Sequence, residues 1–190
     1  MTKITRLFPV LFLLMIASLG FAQASKPAGE KPTIADVLDR SVSNLENDFV
    51  PAADAMPEDK YTFAPTNGEF KGVRTFAQQV KHVAAANYMI GAAVLGEKPP
   101  VELGGENGPD SMTAKGAIVK FTKDSFAYAH KAVATVNDKN LTLPIKSPFG
   151  DGTTTRLSMA SSIVWHGFDH YGQKVEYLRM NGIIPPASRT

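Results

Sequence analysis

The chain contains no cysteine. Disulfides, thiolate metal ligands and a lipid anchor on cysteine are therefore excluded, and any metal it holds must be bound through nitrogen and oxygen. Net charge is also scarce. Lysine and arginine number 20 against 18 acidic residues, and Lys3 and Arg6 fall within the first six positions. Without that short segment the balance is 18 against 18, so nothing supports an electrostatic surface for nucleic acid. Internal repeats are absent. Long hydrophobic runs are rare too: the one clear case, Leu7 to Ala22, stands at the amino terminus.

That run follows Lys3 and Arg6 and ends at Ala22-Gln23-Ala24, with small residues at the two positions a signal peptidase reads. The layout matches a secretory signal peptide over residues 1–24, cleaved after Ala24. An uncleaved anchor is the rival reading, but a spanning helix needs about 20 apolar residues, and this run is shorter and carries Pro9. The expectation is an exported protein, periplasmic or secreted, with no stable membrane insertion once the signal is removed. Residues 25–32, rich in Lys, Pro and Gly, read as a flexible leader. Residues 33–186 are long enough to form one domain with a sizeable core.

Four amphipathic segments fill that domain. Thr33 can cap a helix beginning at Ile34, with Asp36 in its first turn. Its apolar stripe is Ile34, Val37, Leu38, Val42, Leu45 and Phe49, and Pro51 predicts a kink or stop. A second helix is expected over Val73 to Leu95, with Val73, Phe76, Val80, Val83, Ala84, Asn87 and Ile90 inward and Gly96 as its stop. Ser111 or Thr113 opens a third through about Val136, and a fourth spans Leu157 to Met180 before Asn181-Gly182. Between the last two lies a long irregular connection, Asn137 to Thr155, with a brief strand-like alternation at Leu141-Thr142-Leu143. Loops of that length in a compact domain are usually functional or disordered. Four helices each with one apolar stripe bury it best as an all-α four-helix bundle with long loops. Their order and direction are not legible, although both connections after the second helix are long enough to cross the bundle.

Histidine carries the chemistry. His166 and His170 stand at i, i+4 on the fourth helix, which puts both rings on one face about 40° apart. Two nitrogens so placed can grip one ion at about 2.0–2.1 Å. His82 lies near the middle of the second helix, as the pair does on the fourth, and midpoints meet whichever way the helices run. The competing reading is three interior histidines satisfied by hydrogen bonds. His130, beside Tyr128 and Lys131, reads as a partly exposed or hydrogen-bonded histidine. No glutamate follows His166, where a zincin protease needs one; Gly167 stands there. Asp169 is the candidate to orient a ligand's second ring nitrogen or handle a proton, and a solvated helix-stabilising Asp is the alternative. Gln173 and Tyr88 could hydrogen-bond nearby, while Trp165 is expected to pack.

These residues resemble the DinB family of metal-binding four-helix bundles, the DinB/YfiT-like group, over nearly the whole chain after residue 24. Met56-Pro57-Glu58-Asp59-Lys60-Tyr61 leading to Phe63-Ala64-Pro65-Thr66 is similar to the family's approach to the second helix. Arg74-Thr75-Phe76 with His82-Val83-Ala84 is similar to the segment bearing its first ligand. His166 through Gln173, then Tyr177-Leu178-Arg179 and Gly182 to Pro186, is similar to its closing helix. The resemblance implies a DinB-like bundle, often dimeric, with His82, His166 and His170 as ligands of a divalent ion. Three neutral nitrogens suit zinc, nickel, iron or copper, zinc or nickel foremost. Many members carry histidine where this chain has Asp169 and arginine where it has Tyr171; neither is a usual ligand position. Three histidines leave coordination positions open, the pattern of a catalytic site. Some relatives are metal-dependent thiol transferases working with low-molecular-weight thiols, which makes a small-molecule substrate the expectation here. A metal-dependent hydrolase and a non-enzymatic, stress-associated envelope protein are the alternatives.

Overall fold

The structure, a computed structural model, describes residues 31–189. The expected signal segment 1–24 and nearly all of the leader lie outside the described residues. Four α-helices dominate: α1, Ile34–Ala55; α2, Phe76–Leu95; α3, Lys115–Val133; and α4, Arg156–Met180. A short antiparallel hairpin, β1 (Pro144–Lys146) with β2 (Thr153–Thr155), precedes α4 and sets Ile145 opposite Thr154. Among the described residues no helix is long and apolar enough to cross a membrane.

Helix α1 begins as its sequence dictates. The Thr33 hydroxyl accepts from Asp36 N at 3.2 Å while the Asp36 carboxylate accepts from Thr33 N at 2.7 Å, a reciprocal capping box. Leu38, Val42, Leu45, Phe49 and Ala52 are buried along one stripe; Val37, expected inward, is about half exposed. Pro51 does not stop the helix, which continues to Ala55. Side chains from elsewhere satisfy the freed end: Tyr61 Oη donates to Ala53 O and Lys115 Nζ to Asp54 O, each at 2.6 Å.

Helix α2 starts three residues later than the periodicity predicts, at a second capping box between Thr75 and Gln78, so Val73 lies outside it. The helix is buried almost all round, and Lys81 is its single Lys, Arg, Asp or Glu. Helix α3 does not use Ser111 or Thr113 as its cap. It begins at Lys115, whose backbone N–H is taken by the Glu58 carboxylate at 3.2 Å, a cap supplied from 57 residues away. Leu141-Thr142-Leu143 is a turn, and the strand starts at Pro144.

Side-chain contacts fix the directions that periodicity leaves open. Phe49 meets Phe126 with ring centroids 5.9 Å apart, and His130 Nδ1 reaches Asp39 Oδ1 at 2.6 Å, so α1 and α3 run antiparallel. Asn87 contacts Ser125 and Gly91 lies against Tyr128, so α2 and α3 run parallel. Gln79 bonds Gln173 near one end of the α2–α4 pair and Arg156 donates to Val94 O near the other, making that pair antiparallel. Leu45 packs on Gly167 and Lys174 Nζ donates to Phe49 O at 2.9 Å, making α1 and α4 parallel.

Parallel neighbours cannot be joined by a short turn. The chain leaving α2 at Gly96 must return along the helix before α3 can start, and it does so beside α2: Glu106 lies at His82 and Pro109 at Lys81. This overpass occupies 96–114. The connection from α3 to α4, 134–155, spans the diagonal, because α3 and α4 hardly touch.

Candidate metal centre

The overpass, α2 and α4 build one site. Because α2 and α4 are antiparallel and meet near their middles, His82 comes to rest against His166 and His170. Ring centroids are 5.0 Å apart for His82–His166 and 4.7 Å for each of the other two pairs. One ligand-type nitrogen from each ring lies within 4.8 Å of the others, the only such group of three or more His, Cys, Asp or Glu side chains among the described residues.

Two of the rings are held from behind, and that fixes their tautomers. A backbone carbonyl only accepts, so His82 Nδ1 donates to Glu106 O and its Nε2 carries a lone pair. Likewise His170 Nδ1 donates to Gln79 Oε1 at 2.5 Å. Gln79 Nε2 in turn donates to Gln173 Oε1 at 2.8 Å, and Gln173 Nε2 to Asp169 Oδ2 at 3.2 Å. Only His166 lacks such support; its Nδ1 is buried without a partner.

Burial keeps the rings neutral. It is the largest cause in all three, lowering His82 below the ordinary 6.5, His166 to about 4 and His170 to about 3. Mutual repulsion among the rings and the positive Arg74 push His166 and His170 down further. Neutral imidazole is the form that ligates.

The donor set fits an ion. His82 Nε2 and His166 Nε2 lie 3.1 Å apart. Two nitrogens about 2.05 Å from one ion and subtending about 90–109° would stand roughly 2.9–3.3 Å apart. Without an ion, the neutral rings have no full hydrogen-bond solution. If His166 Nε2 donates to His82, its Nδ1 lone pair is buried and unpaired; if Nδ1 holds the proton, two lone pairs face each other.

His82 and His166 also wall a cavity of about 400 Å³, lined otherwise by Arg74, Ala85, Ala86, Met89, Leu103, Gly104, Gly105, Glu106 and Phe149. Phe149 comes from the tip between β1 and β2, so the long connection before α4 does reach the cavity beside the histidines. Behind Arg74 a second, polar hollow of about 540 Å³ is lined by Gln78, Gln79, Asn107 and Gln173.

Several expectations change. Asp169 orients no histidine directly; it is exposed and bonds Gln173, so it stands at the end of the His170–Gln79–Gln173 chain. Tyr88 turns away from the site and stacks with Phe121 and Tyr128 on the α3 side, at 5.3 and 5.4 Å. Trp165 is 64% exposed rather than packed. His130 lies outside the cluster, clipping α3 to α1 through Asp39 and, at 3.1 Å, Glu46. Gln79 escapes sequence reasoning, although its place one turn before His82 on α2 is a usable signal. The Gly-rich stretch Gly104-Gly105-Glu106-Asn107-Gly108, which brings the Glu106 carbonyl to His82, is another.

No curated protein matches the chain. A crystal structure of a DinB-like protein from Bacillus cereus ATCC 10987 superposes with a TM-score of 0.62 at 18% sequence identity, covering 81% of this chain and 96% of that one. That likeness concerns the fold. The sequence profile of the DinB superfamily matches residues 42–173, from within α1 to within α4 and across all three clustered histidines, and the chain belongs to the DinB superfamily.

Proposed function

We propose that this protein is an exported metalloprotein in which His82, His166 and His170 hold a divalent ion, zinc or nickel, and that it acts as a metal-dependent transferase with thiols. The observation that carries the reading is the convergence of three ring nitrogens within 4.8 Å at the wall of a cavity of about 400 Å³. A purely structural site would be closed on all sides. Here two of the three rings face open space.

Each residue has a defined task. His82 and His170 present fixed lone pairs because Glu106 O and Gln79 Oε1 hold their other nitrogens. His166 supplies the third nitrogen. An ion bound there would supply Lewis acidity, lowering the pKa of a bound thiol and polarising a carbonyl. The apolar wall of Ala85, Ala86, Met89, Leu103 and Phe149 limits water around the reacting atoms.

A hydrolase is the weaker reading. It needs a general base within hydrogen-bond reach of the attacking water. Among the described residues no Asp or Glu side chain joins the three ring nitrogens within 4.8 Å; Asp169 bonds Gln173, and the Glu106 carboxylate lies on Arg74.

Metal analysis tests the assignment. Protein purified from its own host should carry about one ion per chain. His166→Ala should lose it, whereas His130→Ala should keep it, because His130 is bonded to Asp39 and Glu46. Equal metal content in wild type and His166→Ala would end the assignment. Conjugation of small thiols to electrophiles, assayed with the ion restored, then separates transferase from binder.

A further inference from the structure

We propose that Arg74 anchors an anionic group of the substrate, so that the site takes molecules with an apolar body and a carboxylate. The proposal rests on reading the cavity beside the histidines as the substrate site.

Charge balance is the first argument. The clustered ligands are three imidazoles with no carboxylate among them. Neutral ligands cancel none of an ion's charge, and Arg74 adds a further positive charge to the same cavity. The cavity holds one carboxylate, that of Glu106, whose side chain is 89% exposed. Apart from that exposed carboxylate the cavity carries only neutral and positive groups, a field that favours an anionic ligand.

The second argument is the state of the guanidinium. Arg74 Nε donates to Asn107 Oδ1 at 2.9 Å and one Nη to Glu106 Oε2 at 3.3 Å. Its remaining N–H groups have no protein partner among the described residues, although a guanidinium carries five in a planar fork suited to a carboxylate. The Glu106 contact is long and solvent-exposed, which makes it weak and exchangeable. The Glu106 carboxylate therefore marks the place a ligand carboxylate would take.

The third is shape and rigidity. Arg74 stands where the apolar cavity meets the polar hollow. A ligand lying on Ala85, Ala86, Met89 and Phe149 would point its polar end there. The backbone is pinned, because Tyr177 Oη donates to Arg74 O at 3.1 Å and Thr75 immediately caps α2.

The test is calorimetric titration with 3-phenylpropionate and its uncharged isostere 3-phenylpropionamide, on zinc-loaded and zinc-free protein. Wild type should prefer the carboxylate about tenfold or more, as one charge-assisted pair implies. Arg74→Gln should reduce that preference to less than about threefold while elemental analysis finds unchanged zinc, and Arg74→Lys should fall between. Glu106→Gln removes the internal competitor and should tighten the carboxylate several-fold with no change for the amide. Should Arg74→Gln fail to fold, the Glu106→Gln result decides. The proposal is overturned if wild type binds neither ligand at 10 mM, about the weakest affinity of interest, or shows no preference. It is equally overturned if Arg74→Gln keeps the preference, since the carboxylate would then be held by the ion. A protein that takes up neither zinc nor nickel defeats the proposed function instead, and the metal-free titration still decides the role of Arg74.

Discussion

Replacing Gly108 by alanine should damage the metal centre without touching a ligand. Gly108 has φ +73°, and a Cβ there would lie 2.5 Å from Lys81 Cβ and 3.1 Å from both Lys81 C and O. The last two are atoms of a buried helix backbone and cannot rotate away. Left-handed backbone at a non-glycine residue costs about 1–2 kcal/mol, and overpacking adds about 1–3 kcal/mol. A loss of roughly 2–5 kcal/mol should lower Tm by about 4–20 °C for a domain of this size. The overpass can escape only by lifting from α2, which withdraws the Glu106 carbonyl from His82 Nδ1. Losing such outer support typically costs about 10–100-fold in metal affinity. Gly105, three residues earlier, is the control, since a Cβ there meets nothing within 4 Å and its φ is not positive. Thermal melting of both variants, with zinc affinity read by competition against a chromophoric chelator, measures the two effects together. Equal Tm and zinc affinity for Gly108→Ala and Gly105→Ala would refute the account of the overpass.

Acidification should destabilise the zinc-free protein: His166 and His170 are held at about 4 and about 3 against an ordinary 6.5, so the unfolded chain binds more protons within that window. Stability is complete above about pH 6.5 and falls as pH drops toward the folded values; urea melts that are flat between pH 7 and 4.5 would contradict this. Gln79→Leu should weaken zinc binding about tenfold or more by freeing the His170 ring, with a smaller change in Tm, and unchanged affinity would remove Gln79 from the centre. Lys174, fully buried with Phe49 O as its hydrogen-bond acceptor and the Phe49 ring beneath, should tolerate methionine: Lys174→Met should be neutral or more stable by about 1–3 kcal/mol at pH 7. Burial holds the Lys174 amine well below 10.5, so the unfolded chain binds the extra proton and wild-type stability at this site rises with pH. The advantage of the methionine variant should therefore shrink by pH 10, and a variant markedly less stable at pH 7 would contradict the reading.

How much of this could be read beforehand differs by element. Thr33 and the Leu38–Val42–Leu45–Phe49 stripe define α1 because cap chemistry and period are local. The start of α3 is not local, since Glu58, in the short 3-10 turn after α1, supplies its cap. Three-residue strands such as Pro144–Lys146 carry too few positions to show a period, and pairing with Thr153–Thr155 makes them strands. Pro51 misleads because tertiary partners, Tyr61 and Lys115, finish the helix beyond it. The three histidines were legible since their meeting needs only that two helices touch near their middles. Arg74 and Glu106 were not, because their meeting depends on the path of a loop.

That loop follows from helix direction. With α2 and α3 parallel neighbours, the chain between them has to retrace the length of α2, and the exposed side of His82 is on its route. Gly104 and Gly108 let two stretches of backbone close up, since a Cβ on Gly104 would sit 2.6 Å from the Gly108 carbonyl. Lys81 Nζ then ties the strap down at Pro109 O, at 2.7 Å. A segment required by topology thus delivers the carbonyl that selects the His82 tautomer and the Glu106 and Asn107 side chains that hold Arg74. If the helices ran up-down-up-down with short turns, the three histidines could still meet, but His82 would have no carbonyl behind it and Arg74 no partner. The coordination and the charge of the site are therefore both consequences of one crossover, and a variant that frees it should lose them together.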